Sequence, residues 1–109
     1  MSRSTPEVTV AQLADVLQTG GTLVDVREAG EYVDGHVPGA VLMPMGRLPS
    51  RVGDLDRDEP VYVVCASGNR SAAMADFLNA AGFRAFSVAD GTSGWARSGR
   101  DVVTGARPV

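Results

Sequence analysis

The apolar residues near the start of the chain follow the spacing of one helix face. Between Val10 and Leu17 they recur at positions i, i+3, i+4 and i+7. Thr9, followed three residues later by Gln12, has the form of a capping box, in which each side chain accepts from a backbone N–H of the first turn. The pattern predicts a helix that begins after Thr9 and ends before the glycine pair at Gly20.

The remaining apolar runs divide into strands and helices that alternate along the chain. The strongest strand is the β-forming run from Val61 to Val64, and a continuous apolar run of this kind is typical of a central strand covered on both faces. Further strands are predicted at 22–26, 40–43 and 85–88, and helices at 28–34, 48–55, 71–81 and 91–98. This alternation implies parallel pairing through right-handed crossovers. We therefore predict an α/β three-layer sandwich with a small, mainly parallel central sheet flanked by helices.

The large aromatic side chains are expected in the core, and the end of the chain on the surface. Phe77 shares a predicted helix face with other apolar residues, and Phe83, Phe86 and Trp95 occupy apolar segments. The tail at 104–109 is polar and rich in turn-forming residues, so we expect a surface extension.

Length and charge narrow the classes of function. The 109 residues form one predicted domain, 1–109, with its core at about 8–103. A net charge of −3 argues against binding to nucleic acid or to an acidic membrane, since both need clustered cations. No apolar run approaches the ~20 residues of a membrane span, and residues 1–10 contain no signal-peptide core. A cytoplasmic monomer is expected. All 10 Lys and Arg residues are arginine, a bias typical of a GC-rich bacterial genome.

The segment after the predicted central strand carries the candidate chemistry. It begins at Cys65, the sole cysteine, and leads directly into a predicted helix through Ala66, Ser67, Gly68, Asn69, Arg70 and Ser71. In open α/β sheets, ligands bind beyond the carboxyl ends of the strands. A short glycine-containing loop at a helix N-terminus presents backbone N–H groups that favour an anion and lower the pKa of a thiol. We predict that Cys65 is a nucleophile, exposed in its loop so that a partner can approach, and that residues 66–71 bind an anionic substrate.

Each of these residues also has a simpler interpretation. An isolated cysteine after a strand is most often a buried, inert thiol, and Arg70 alone would suit any surface. Ser67 and Asn69 either contact the substrate or only suit the backbone of the loop. The combination of residues, not any one of them, indicates a site. A zinc site built from Cys and His is excluded because the chain has one residue of each type, and such sites need about three or four ligands of this kind.

Two polar residues, Asp25 and Arg27, end a strand that shares the carboxyl edge of the predicted sheet with Cys65. Period-two alternation places both on one face, opposite Val24 and Val26. In one interpretation Arg27 adds positive field near the pocket while Asp25 orients it or ties down a loop. In the other, the two residues form an ordinary salt bridge or a cap for the following helix, and we favour structural support. We interpret His36 in the same way, as a histidine hydrogen-bonded to the backbone and not as the base of a Cys/His dyad.

These motifs together resemble a single-domain rhodanese, a sulfurtransferase, over about residues 8–103. The matching segments, in order, are Val24-Asp25-Val26-Arg27, Glu31-Tyr32, Gly35-His36-Val37-Pro38-Gly39-Ala40, Val61-Tyr62-Val63-Val64-Cys65, the loop through Arg70-Ser71, and Gly91 to Gly99. The resemblance implies that Cys65 takes sulfane sulfur from thiosulfate or a persulfide donor. The resulting Cys65 persulfide would pass the sulfur to a thiophilic acceptor, such as cyanide in vitro or a thiol or carrier protein in the cell. It implies no metal and no organic cofactor.

Two other functions remain open, and two positions depart from the family pattern. A rhodanese-like module could bind partners without turnover, although the intact Cys65 and Arg70 argue against this. A cysteine phosphatase would place one more residue between them and would need a general acid. Asp90 stands where the family usually has glycine, which we expect to alter a turn only. Ala66 and Ser67 carry no positive charge, so we expect a persulfide to be a better donor than thiosulfate.

Overall fold

One parallel sheet forms the centre of the fold, and helices cover both of its faces. The structure is a computed structural model that describes residues 4–109, so the first three residues of the predicted domain lie outside it. The elements are β1 (Glu7–Val8), α1 (Val10–Gln18), β2 (Thr22–Asp25), α2 (Ala29–Asp34), β3 (Val41–Leu42), a 3-10 helix (Leu48–Asp54), β4 (Pro60–Val64), α3 (Asn69–Ala80), β5 (Arg84–Val88) and α4 (Gly91–Arg97). The strand order is β1-β5-β4-β2-β3, with every neighbouring pair parallel. The predicted α/β architecture is confirmed, with β4 central as predicted.

The local signals at the first helix are also confirmed. Thr9 caps α1 through its side chain, which accepts from the backbone N–H of Gln12 at 3.0 Å, and the Gln12 side chain accepts from the N–H of Thr9 at 2.8 Å. The helix buries Leu13 completely against the sheet. Removal of such a side chain from water stabilises the fold by about 1.5–3 kcal/mol.

Three details differ from the sequence predictions. The two-residue strand β1 was not predicted, because a strand this short has no detectable period of its own. The segment predicted as a helix at 48–55 forms the tighter 3-10 helix, with Pro49 in its first turn. The prediction of a buried Phe77 is wrong, since its side chain lies beside the buried line of Ser71, Ala75 and Leu78 on α3 and is 36% exposed.

Two apolar clusters, one on each face of the sheet, hold the sheet between its helices. Along β4 the side chains alternate, so that Val61 and Val63 join one cluster and Val64 the other. Cys65 continues this alternation and belongs to the cluster that contains Ala75 of α3. The period of the strand therefore determines which side of the sheet the thiol faces.

The C-terminal tail is more firmly attached than a simple surface extension. Its side chains are largely exposed, as predicted, but the Gly39 N–H donates to the Pro108 carbonyl at 3.0 Å. His36 is fully buried; its Nδ1 lies 2.8 Å from the Tyr32 carbonyl oxygen and its Nε2 lies 2.8 Å from that of Arg107. Both ring nitrogens thus face backbone carbonyls, in agreement with a structural histidine.

No helix within residues 4–109 combines the length and the apolar character that a bilayer-spanning helix requires.

The turn before α4 approaches the end of β4 very closely. Asp90 adopts a left-handed backbone with φ of 66°, the one non-glycine residue with positive φ in the described part of the chain. Gly91 follows with φ of +57°, and a Cβ atom there would lie 2.5 Å from the carbonyl oxygen of Cys65. Asp90, which stands where the family usually has glycine, therefore keeps the left-handed backbone conformation that glycine favours. Position 91, in contrast, has no room for a side chain.

We expect Gly91→Ala to destabilise the protein by about 2 kcal/mol or more, because the added methyl group combines an unfavourable φ with a backbone clash. Urea unfolding monitored by circular dichroism measures this change. Gly46→Ala is the control, since Gly46 has open space around it and no positive φ. Equal unfolding midpoints for the two variants would contradict the prediction.

Candidate functional site

Cys65 begins a loop that folds back over its own sulfur atom. This segment, residues 65–71, is called the Cys65 loop below. Gly68 adopts φ of 117°, which only glycine adopts readily, and its N–H donates to Cys65 Sγ at 3.1 Å. The loop then continues into α3, whose helix begins at Asn69.

The thiol is buried beneath this loop, contrary to our expectation of an exposed cysteine. Cys65 is 1% exposed. The reason is the alternation along β4, which directs the side chain into the cluster shared with α3 while the loop closes over it. A reactant must therefore reach the sulfur through the opening of the loop.

A hydroxyl group provides a second contact to the sulfur. Ser71 Oγ lies 3.4 Å from Cys65 Sγ and also donates to the Gly68 carbonyl at 3.1 Å. Ser87 Oγ, on β5, lies 2.7 Å from Ser71 Oγ. Sequence analysis assigned no role to Ser87, although a serine within the apolar run of β5 was a visible signal.

The surroundings of Cys65 favour its thiolate. Burial of the thiol raises the pKa of Cys65, but the hydroxyl of Ser71 and backbone N–H groups of the loop lower it, and the hydrogen bonds prevail. These N–H groups belong to Ser71, Gly68 and Ser67. The lowered pKa gives a larger thiolate fraction at neutral pH than an ordinary cysteine has.

Arg70 is held by a carboxylate that sequence analysis left without a role. Its Nη1 and Nη2 atoms donate to Glu31 Oε1 and Oε2 at 2.8 and 2.9 Å, a bidentate pair between the loop and α2. Hydrogen bonding to Arg70 lowers the pKa of Glu31 to about 2, and the same contact raises the pKa of Arg70. Glu31 lies within the Glu31-Tyr32 segment that resembles the family, but its pairing with a residue 39 positions away has no signature in a single sequence.

Asp25 and Arg27 form a buried ion pair at the neighbouring strand end. Arg27 Nη2 lies 2.9 Å from Asp25 Oδ2 and also donates to the Gly35 carbonyl at 2.8 Å. Asp25 is paired in register with Val64, so this cluster lies beside Cys65. The contacts attach the end of α2 to the sheet, and α2 carries Glu31. The geometry is that of support for the loop.

The other loop residues contribute mainly backbone. The Ala66 carbonyl accepts from the N–H of Ser93 at 3.0 Å, and the Cys65 carbonyl accepts from that of Thr92 at 2.8 Å. Ser67 and Asn69 are exposed at the rim of the loop. Within residues 4–109, no three side chains of His, Cys, Asp or Glu lie together in a group that could hold a metal ion.

A shallow cavity of about 250 Å³ adjoins the loop on the side of α2 and α4. Its lining includes Arg27, Glu31 and Thr92, so it touches both the ion pair that holds Arg70 and the helix turn that binds the Cys65 carbonyl. The exposed wall of the cavity is mainly apolar, and none of its lining residues belongs to the Cys65 loop itself.

The Arg70–Glu31 pair predicts how stability depends on pH. Because the folded-state pKa of Glu31 is depressed, its contribution is complete above about pH 4.5 and disappears as the pH falls to about 2. We expect Glu31→Gln to lower the free energy of unfolding at neutral pH by at most about 1 kcal/mol, because the two side chains are 35% and 37% exposed. The difference from the unsubstituted protein should shrink on acidification, as measured by urea unfolding at about pH 7 and about pH 3.

Asp54→Asn is the matched control for this experiment. It removes the carboxylate of the Arg51–Asp54 pair, which is more exposed, at 41% and 59%. We expect almost no change in unfolding at either pH. A Glu31→Gln effect that persists undiminished at about pH 3 would contradict the assignment to the ion pair.

Comparisons with known proteins agree with this geometry. The family model described as "Rhodanese-like domain" matches residues 9–98. The chain is 33% identical over 106 residues to the thiosulfate sulfurtransferase GlpE of Actinobacillus pleuropneumoniae, covering 95% of this chain and 98% of that protein. It is 34% identical over 95 residues to a sulfurtransferase of Allochromatium vinosum, covering 86% and 84%. One further relative, from Bacillus subtilis, is 32% identical over 95 residues. The chain covers only 51% of the length of that protein.

Solved structures show the same fold. A rhodanese-related protein from Thermoplasma volcanium superimposes with a TM-score of 0.86 at 32% identity, over 92% of this chain and 99% of that one. The order of strands, the position of the Cys65 loop and the family match therefore converge: this chain belongs to the family of rhodanese-like domains, which includes proteins named as sulfurtransferases.

Proposed function

We propose that this protein is a sulfurtransferase that carries sulfane sulfur on Cys65. The observation that carries the proposal is the sulfur atom itself, held under a loop whose Gly68 N–H donates to it at 3.1 Å and whose hydrogen bonds lower its pKa. Such a site stabilises a thiolate and, after transfer, an anionic persulfide. The sulfurtransferase names of two relatives support the same reaction class.

The proposed reaction is two successive displacements at sulfur. The Cys65 thiolate attacks the sulfane sulfur of the donor, a new S–S bond forms, and the donor's S–S bond breaks. With thiosulfate, the sulfite that leaves takes the bonding electron pair. A thiolate acceptor then attacks the outer sulfur of the Cys65 persulfide and restores the Cys65 thiolate. No external oxidant or reductant is needed, and the lowered pKa removes the need for a general base.

The charge distribution favours a persulfide or polysulfide donor over thiosulfate. Ala66 and Ser67 supply no cation, and the two terminal nitrogens of Arg70 are bound to the Glu31 carboxylate. The sulfonate end of thiosulfate would therefore meet backbone N–H groups but no unpaired guanidinium from the loop. A persulfide group carries at most one negative charge whereas thiosulfate is a dianion, so the persulfide group loses less on leaving water.

We propose that the acceptor is a small thiol or a carrier protein that meets a monomer of this chain. The shallow cavity whose lining includes Arg27, Glu31 and Thr92 supports this proposal, since it offers a mainly apolar recess beside the residues that contact the loop. Because the thiol is 1% exposed, the acceptor has to present a protruding sulfur.

Intact mass spectrometry tests the proposed function directly. We expect incubation with a sulfane-sulfur donor to add one sulfur atom, which cyanide or a reducing thiol removes. Cys65→Ser should gain none. If neither thiosulfate nor glutathione persulfide loads Cys65, the proposal is wrong, and a module that binds partners without turnover becomes the better interpretation.

Donor preference provides a second prediction. We expect a higher kcat/KM with glutathione persulfide than with thiosulfate. Ser67→Arg should raise kcat/KM for thiosulfate by about fivefold, the effect of one exposed charge contact of roughly 1 kcal/mol. Ser67→Gln controls for side-chain size. A preference for thiosulfate in the unsubstituted protein would contradict the proposed role of the uncharged loop.

A further inference from the structure

A chain of hydroxyl groups leads from the sulfur atom into the sheet. Ser87 is fully buried in β5, with apolar residues on both sides of it in the sequence. Its Oγ lies 2.7 Å from Ser71 Oγ, which in turn lies 3.4 Å from Cys65 Sγ. A buried hydroxyl is costly without a partner, so this short contact accounts for how Ser87 is accommodated.

Ser71 has more potential acceptors than hydrogen atoms. Its single hydroxyl proton can point to the Gly68 carbonyl, 3.1 Å away, or to Cys65 Sγ. When Cys65 is a neutral thiol, its S–H can donate to Ser71 Oγ while Ser71 donates to Gly68. When Cys65 is a thiolate, the Ser71 proton turns to the sulfur, because an anionic acceptor forms the stronger hydrogen bond.

Ser87 can serve as a donor to Ser71 in both states. A hydroxyl that receives a hydrogen bond becomes a stronger donor itself, because hydrogen bonds in a chain polarise one another. The 2.7 Å contact also restricts the rotation of the Ser71 side chain. Loss of Ser87 Oγ would therefore weaken the contact from Ser71 to the sulfur without removing any group that touches it.

We infer that Ser87 is a positioning residue that stabilises the Cys65 thiolate through Ser71. Its side chain does not bond to the sulfur or to the Cys65 loop except through this one hydroxyl. The inference deepens the proposed function and rests on it for its biological meaning, but the ionisation of Cys65 can be measured without any sulfur donor.

The test is the pH dependence of alkylation of Cys65, the sole cysteine, by iodoacetamide, followed by intact mass. We expect Ser87→Ala to raise the pKa of Cys65, so that the thiolate fraction at pH values below the pKa falls about twofold to fourfold, because polarisation by a neighbouring hydroxyl contributes only part of one hydrogen bond. Ser50→Ala is the control: its exposed hydroxyl donates to the Arg47 carbonyl, and we expect an unchanged alkylation profile.

A double-mutant cycle distinguishes an effect of Ser87 that passes through Ser71 from a general loss of structure. We expect Ser71→Ala to raise the pKa at least as much as Ser87→Ala does, and the double variant to match Ser71→Ala alone. A further rise in the double variant would mean that Ser87 acts independently and would overturn the inference. An unchanged pKa in folded Ser87→Ala would overturn it as well.

Two further experiments separate an effect on the ionisation of Cys65 from a loss of folding and from a failure of the proposed function. If Ser87→Ala does not fold, as judged by circular dichroism, Ser87→Thr retains the hydroxyl and should keep the low pKa if the hydroxyl is what matters. A raised pKa in Ser87→Thr, with the fold retained, would contradict the inference. Absence of sulfur loading on the unsubstituted protein would defeat the proposed function but leave the effect of Ser87 on ionisation intact.

Discussion

Two backbone hydrogen bonds from the first turn of α4 determine the shape of the Cys65 loop. The N–H groups of Thr92 and Ser93 donate to the first two carbonyl oxygens of the loop. Because a trans peptide unit is planar, a carbonyl that points toward α4 directs the N–H of the same unit the opposite way. The contacts also provide acceptors for helical N–H groups that would otherwise lack them. The direction of the Ser67 N–H, one of the donors to the sulfur, and the position of α4 are therefore established together, and Gly91 allows the close approach that both require.

Both arginines beside the loop are ion-paired, and short-range hydrogen-bond donors are the main groups that stabilise the sulfur. Arg27 is bound to Asp25 and Arg70 to Glu31, each through more than one contact to the carboxylate. Removing one partner of the buried Arg27–Asp25 pair would leave an uncompensated charge, whereas the half-exposed Arg70–Glu31 pair mainly fixes the direction of the Arg70 side chain. The negative charge on Cys65 is stabilised by N–H groups and a hydroxyl instead. Such short-range donors suit a compact, polarisable sulfur atom better than a long-range field would.

Sequence alone predicted what depends on local pattern and missed what depends on packing between distant segments. The continuous apolar run from Val61 to Val64 identified the central strand, and the capping box at Thr9 identified the start of α1, because both signals arise within a few residues. Glu31 and Ser87 were missed because their partners lie 39 and 16 residues away in the chain. Cys65 was wrongly predicted to be exposed. Its burial depends on the closure of the loop over the strand end, which follows from tertiary contacts that no local pattern encodes.

In the reaction that we propose, the burial of Cys65 also makes the two sulfur transfers geometrically unequal. The core cluster with Ala75 occupies the inner side of the thiol, so an added sulfur atom has to extend toward the opening of the loop. An S–S bond is about 2 Å long, and the reacting atom moves outward by a distance of that order. A donor must reach a recessed atom, whereas an acceptor meets one nearer the surface. In the proposed reaction the depth of the thiol therefore constrains the approach of the donor's sulfane sulfur more than it constrains the approach of the acceptor.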